Sequence, residues 1–158
     1  MILTTRMLVN LVLLTCVIIG LPATAFAQTS GARSSAPAVT ELVAAVKDIA
    51  ALEGARKAGG ETLLFALASM HGALIAAGKK VVESKQETAA IFAIVSILKT
   101  CKDSARPGDG TLCARGAFAL EHLGPAAKTA VPTLQLRRNH RDSFAATAAS
   151  EVLEKLQK

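Results

Sequence analysis

From Ala38 onward, apolar residues fall at helical intervals, and glycines, prolines and short polar runs cut the pattern into segments. The first segment, Ala38 to Lys57, aligns Val39, Leu42, Val43, Val46, Ile49, Ala50 and Leu52 on one side, and Gly59-Gly60 stops it. The second, Glu61 to Ala77, is apolar nearly all round, with Leu63, Leu64, Phe65, Leu67, Met70, Leu74 and Ile75. Gly78 is expected to close it and to leave Lys79-Lys80 in a connection. Ser84-Lys85-Gln86-Glu87 has the spacing of a capping box, which predicts a third helix running to about Thr100 through Ile91, Phe92, Ile94, Val95, Ile97 and Leu98. Helices apolar on every side belong in the middle of a stack, covered on two faces.

The last third is the most strongly punctuated. Ala117, Leu120 and Leu123 form a stripe with Gly116 and Ala119 beside them, and Gly124-Pro125 ends that helix. Pro132 fits only a first turn, so another helix begins near Ala130 or Val131. Asp142 is a good N-cap for a final helix carrying Phe144, Ala145, Ala148, Ala149, Val152, Leu153 and Leu156. The fold class is all-α. Phe65, Phe92, Phe118 and Phe144, each followed by Ala, also recur at nearly equal intervals, a faint internal echo.

Before Ala38 the pattern is of another kind. Residues 1–27 read as a secretory signal peptide: Arg6, an apolar run Met7–Leu21 broken only by Asn10, Thr15 and Gly20, then Pro22 and the small-x-small site Ala25-Phe26-Ala27. The run is short for a span, which takes about 20 apolar residues. Cys16 lies inside the run behind Thr15, which does not suit lipid attachment. Residues 28–36, rich in Gly, Ser and Ala, read as a flexible linker, and 37–158 as a helical domain. The mature chain is then exported, periplasmic or secreted, with no stable membrane span after cleavage.

Composition agrees with helices. The chain of 158 residues has no Trp or Tyr and 5 Phe, which suits close helix packing and not a β-sandwich. Its formal charge of +6 is scattered, which permits an anionic partner without requiring one.

Gly116-Ala117, Ala119-Leu120, Leu123-Gly124, then Ala130-Val131-Pro132 and Leu134, resemble the HEAT-like repeat family, in its short phycobilisome-lyase type. The next first helix matches through Ala149, Leu153 and Leu156, so the resemblance covers about residues 113–158; Val152 stands where the family has Ala. It implies a short α-solenoid of about six stacked antiparallel helices and a non-catalytic role, binding another protein as an interaction module or scaffold.

Little in the residues nominates chemistry. His71, His122 and His140 are isolated, without metal-ligand spacing, and no nucleophile elbow, phosphate loop or dinucleotide motif is present. His71, among Leu67, Met70, Leu74 and Ile75, reads as a hydrogen-bonded core histidine. Glu121 and His122 point about 100° apart on a helix and read as two surface residues, not a proton-transfer pair. No catalytic residue, metal or cofactor is expected. Arg137, Arg138, His140 and Arg141 form the one basic concentration, either a contact for an anionic ligand such as a polyanion or nucleic acid, or a solvated turn. Cys101 and Cys113 remain once the leader is gone, one closing the third helix and one opening the fourth, with Pro107-Gly108-Asp109-Gly110 as a turn between them. They either bridge, as export favours, or pack as two small free thiols.

Overall fold

A computed structural model of the chain describes residues 36–101 and 108–158, all of which fall in one compact unit. The expected leader at 1–27, the expected linker up to residue 35 and Pro107 lie outside the described residues. In order come α1 (Pro37–Lys47), α2 (Ala50–Ala58), α3 (Gly60–Glu83), α4 (Glu87–Thr100) and α5 (Asp109–Glu121). A 3₁₀ segment (Gly124–Ala130), α6 (Val131–Arg137) and α7 (Ser143–Gln157) complete the fold. The fold is all-helical, with no strand among the described residues.

Three of the expected boundaries are corrected. The segment Ala38 to Lys57 is two helices, broken at Asp48-Ile49. Continuation would need the Ala45 and Val46 carbonyls to accept amides from the next turn. Instead the Arg115 guanidinium takes them, its Nε 3.1 Å from Ala45 O and 3.2 Å from Val46 O and its Nη2 also on Ala45 O. A cation on the last carbonyls of a helix is favourable, and here it comes from a residue that is itself buried.

Gly78 does not close its helix. It sits inside α3 because a Cβ there would lie 2.9 Å from His122 Cβ, so its bareness serves a close approach to the end of α5. Lys79 and Lys80 are helical, and Lys80 Nζ is 2.6 Å from Glu41 Oε1 on α1. The capping box does not form either. Ser84 is spent ending α3, its hydroxyl donating to Val81 O at 3.0 Å, and Gln86 is the N-cap of α4 without a side-chain bond. The N–H of Gln86 reaches Val81 O and that of Lys85 reaches Val82 O, both at 3.0 Å, which is a Schellman closure with Lys85 at φ +55°.

The middle of the fold is α5, not the strongly apolar helices. Every residue from Cys113 to Leu120 is buried, Arg115 included, and α5 packs against α1, α3, α4 and α7. It holds that place because it is thin. At Gly116 a Cβ would be 2.9 Å from a Leu98 methyl of α4. Asp109-Gly110 begins this helix rather than making a turn, and a Cβ on Gly110 would sit 2.2 Å from the Asp142 carboxyl carbon. By contrast α3 and α4 leave Leu64, Phe65, Ile75, Val82 and Phe92 exposed, so they are not covered on two faces.

Gly124 takes φ +63°, and Pro125 enters the 3₁₀ segment, which carries the chain to Val131 and places Pro132 in the first turn of α6. Asp142 caps α7, its Oδ1 accepting from Ala145 N at 3.1 Å. The four recurring phenylalanines occupy unlike environments: Phe118 is buried, with Phe144 6.3 Å away between ring centroids, whereas Phe65 and Phe92 are exposed.

Candidate functional site

Three side-chain groupings and a set of exposed apolar side chains compete for a functional reading. The first is the basic turn. Arg138 and Arg141 are exposed, Arg137 is half-buried at the end of α6, and His140 is buried. The His140 Nδ1 accepts the Asp142 N–H at 3.1 Å, and the His140 backbone N–H donates to Arg137 O at 3.1 Å. The structure therefore does not bring the four residues to one face, because His140 turns inward to brace the N-cap of α7.

The second grouping was not legible. Arg56 on α2 donates from Nη1 to Thr111 Oγ1 at 2.7 Å and from Nη2 to Asp142 Oδ2 at 2.9 Å, with Glu53 Oε1 3.2 Å from Nη1. Thr111, fully buried, accepts from Arg56 and donates to Glu53, so both roles of its hydroxyl are used. The guanidinium carbon lies 5.3 Å from the Phe144 ring centroid. Partial burial would raise the Asp142 pKa, but the Arg56 hydrogen bond, the Ala145 and Phe144 amides and the Arg56 charge outweigh it and hold the carboxyl below its ordinary value. Glu53 is a local partner, but Thr111 lies three helices on and Asp142 five, so no local spacing announces the cluster. The cluster clasps α2, α5 and α7 together, and its hydroxyl and carboxylates are engaged with one another and with Arg56.

The third gathers around the end of α5. His71 of α3 meets Phe118 edge-on, centroids 4.7 Å apart, and the His122 ring at 6.1 Å. His71 is half-buried by these rings rather than sunk in the core. Neither Glu121 nor His122 is a plain surface residue. Glu121 Oε1 pairs with Lys155 Nζ at 2.7 Å, while Glu121 Oε2 and His122 Nε2 are enclosed with no hydrogen-bond partner among the described residues. Burial pushes the His122 pKa down against the pull of Glu121, and His71 and Lys155 add to the lowering. Among the described residues no three His, Cys, Asp or Glu side chains are placed to hold a metal.

Cys101 and Cys113 are joined in a disulfide, Cα atoms 5.9 Å apart. Cys113 lies in the second turn of α5, not at its start.

The last candidate is a set of exposed apolar side chains. Phe92 is 79% exposed, Phe65 74% and Leu64 67%, with Leu136 and Ile75 also outside. By length and composition alone Gly60–Glu83 would also cross a membrane, and most of that stretch is uncovered by protein. Comparison of the chain with protein-family models, with curated proteins and with solved structures finds no match.

Proposed function

We propose that the chain is an exported, non-catalytic helical protein that binds another protein in the cell envelope through its exposed apolar surface. The observation that carries this reading is the pair of bare phenyl rings, Phe65 and Phe92, on helices whose other faces are packed. Exposed aromatic side chains are costly in a monomer and are the usual anchors of protein contacts. The Arg56 cluster, in contrast, is occupied in holding helices together. Export rests on the leader at 1–27, and a Cys101–Cys113 bridge suits an oxidising compartment. No membrane span follows cleavage in this reading, since Met70, Leu74, Ala77, Gly78 and Val81 of α3 are buried in the helical domain.

A HEAT-like arrangement is proposed for α5 to α7. Gly110 at the start of α5 lies against Asp142 at the start of α7, and Glu121 at its end meets Lys155 near the end of α7. The two helices thus run in parallel with α6 between them, as first helices of successive repeats do. The extension to an α-solenoid of about six helices rests on the same reading.

Binding of a polyanion or nucleic acid through Arg137, Arg138 and Arg141 is the second reading, favoured by the exposure of Arg138 and Arg141. Capture of envelope proteins by the immobilised chain separates the two. Apolar contact persists from about 50 to 500 mM salt and is lost in Phe92→Glu, whereas charge-driven binding fades steeply over that range and is lost in Arg138→Glu. Capture unaffected by Phe92→Glu and Phe65→Glu would sink the first reading.

A further inference from the structure

We propose that the exposed face of α3 is a self-association surface, on which a second copy of this chain docks with its own α3 antiparallel. The inference rests on the protein-binding reading above and names the occupant for this part of the surface. From Thr62 to Ala76 the helix has no charged residue, and its outward stripe runs Phe65, Ala68-Ser69, Gly72-Ala73, Ala76. All six are exposed, and a Cβ built on Gly72 meets nothing within 4 Å. Glu61 bounds the stripe at one end and Lys80 at the other.

This stripe is symmetric about the point between Met70 and His71. An antiparallel copy centred there sets Phe65 against the partner's small Ala76 and Ser69 against Gly72, with Ala68 and Ala73 on the two flanks of the seam. The bulky side chain meets a small one, and the small residues at the centre let the helix axes approach closely. The same register brings Glu61 level with the partner's Lys80 at each end of the seam, opposite charges rather than like ones. A parallel copy would set Glu61 on Glu61 and Phe65 on Phe65, matching neither charge nor size. Leu64 and Ile75, exposed beside the stripe, flank the seam. The charges bordering the face, Glu61 and Glu83 with Lys79 and Lys80, balance, and Lys79 already faces Glu83 at 3.8 Å. That balance favours a second copy over an anionic bilayer.

A single helix seam is a small interface, so an affinity of about micromolar order is expected. Sedimentation velocity of the chain, expressed with its own leader and recovered as the cell processes it, should show the mass doubling as concentration rises from about 1 to 500 µM. Gly72→Glu should remain monomeric over that range with an unchanged helical circular dichroism spectrum. Gly72→Cys should give a covalent dimer under mild oxidation, while Leu64→Cys should not, since antiparallel packing keeps the two Leu64 positions about 20 Å apart. The cysteine pair reads the register even if the glutamate variant misfolds. Monomer at every concentration overturns the proposal, as does cross-linking at both positions. Monomer in solution that co-sediments with zwitterionic phosphatidylcholine vesicles overturns it in favour of a lipid surface. A monomer that still captures an envelope protein through Phe92 sinks self-association and leaves the wider reading standing.

Discussion

Two single residues carry more of this fold than their neighbours suggest. Arg115 is 5% exposed, and burial pulls its pKa down while Asp48 pulls it up; its hydrogen bonds end α1. Replacing it by Met keeps the volume and removes the donors, leaving the Ala45 and Val46 carbonyls without partners. Arg115→Met should therefore cost about 1.5–3 kcal/mol in urea unfolding, the range for hydrogen bonds to a charged group. An unchanged midpoint would mean that water replaces the guanidinium. Lys85 is the opposite case, since it is exposed and sits at φ +55° where the Schellman closure of α3 favours glycine. Lys85→Gly should stabilise the protein by about 0.5–1 kcal/mol, because a side chain in the left-handed region is strained. A loss of stability would show that the greater chain entropy of glycine outweighs the relief. Neither residue was legible. Arg115 stands just before the apolar stripe that begins at Gly116 and has no local partner in sequence, and Lys85 falls inside the spacing of a capping box because serine and glutamate three apart have it whether or not a helix starts there.

At the scale of elements, what periodicity reached and what it missed have separate causes. Gly124, Pro132 and Asp142 were placed correctly because their backbone chemistry is local: a left-handed residue, a missing donor and a side-chain acceptor. The centre of the fold was misplaced because hydrophobic content was taken as the sign of burial. Here side-chain size decides: α5, rich in Ala and Gly, admits several neighbours, while α3 and α4 keep phenylalanines outside. Gly78 misled for the same reason, since its lack of a Cβ serves contact with His122 and not helix termination. Leu123 tests the packed end of α5. It is 2% exposed and precedes the left-handed Gly124. Leu123→Ala should cost about 2–5 kcal/mol, the span for a buried leucine depending on how far the site collapses. A change near zero in the thermal or urea transition would mean that the 3₁₀ segment closes over the gap.

For the whole molecule, acid and reductant probe how the pieces are tied. His122 and Asp142 both have folded pKa values below their ordinary ones. In each case the unfolded chain takes the proton first as pH falls, so stability is lost on acidification and not on alkalinisation. The loss from His122 begins near its unfolded value of about 6.5 and that from Asp142 near about 3.9. Urea midpoints measured from pH 8 downward should fall in two stages, and His122→Gln should remove its contribution to the first. A midpoint that rises between pH 7 and 5 would contradict the burial of His122. The disulfide acts on the same transition through the unfolded chain. Cys101 and Cys113 are separated by 12 positions, and their bridge fixes the end of α4 to the second turn of α5, the helix on which most others pack. Closing a loop of that size should contribute about 3 kcal/mol, chiefly by restricting the unfolded ensemble. Because α5 is central, opening this one link should lower the whole cooperative transition rather than loosen one end. Melting followed by circular dichroism should therefore shift downward on adding reductant, and the Cys101→Ala, Cys113→Ala double variant should melt low with or without it. If the wild-type chain melts identically in both conditions and mass spectrometry finds two alkylatable thiols, the bridge is absent from the recovered protein, and packing around α5 alone holds the two helices together.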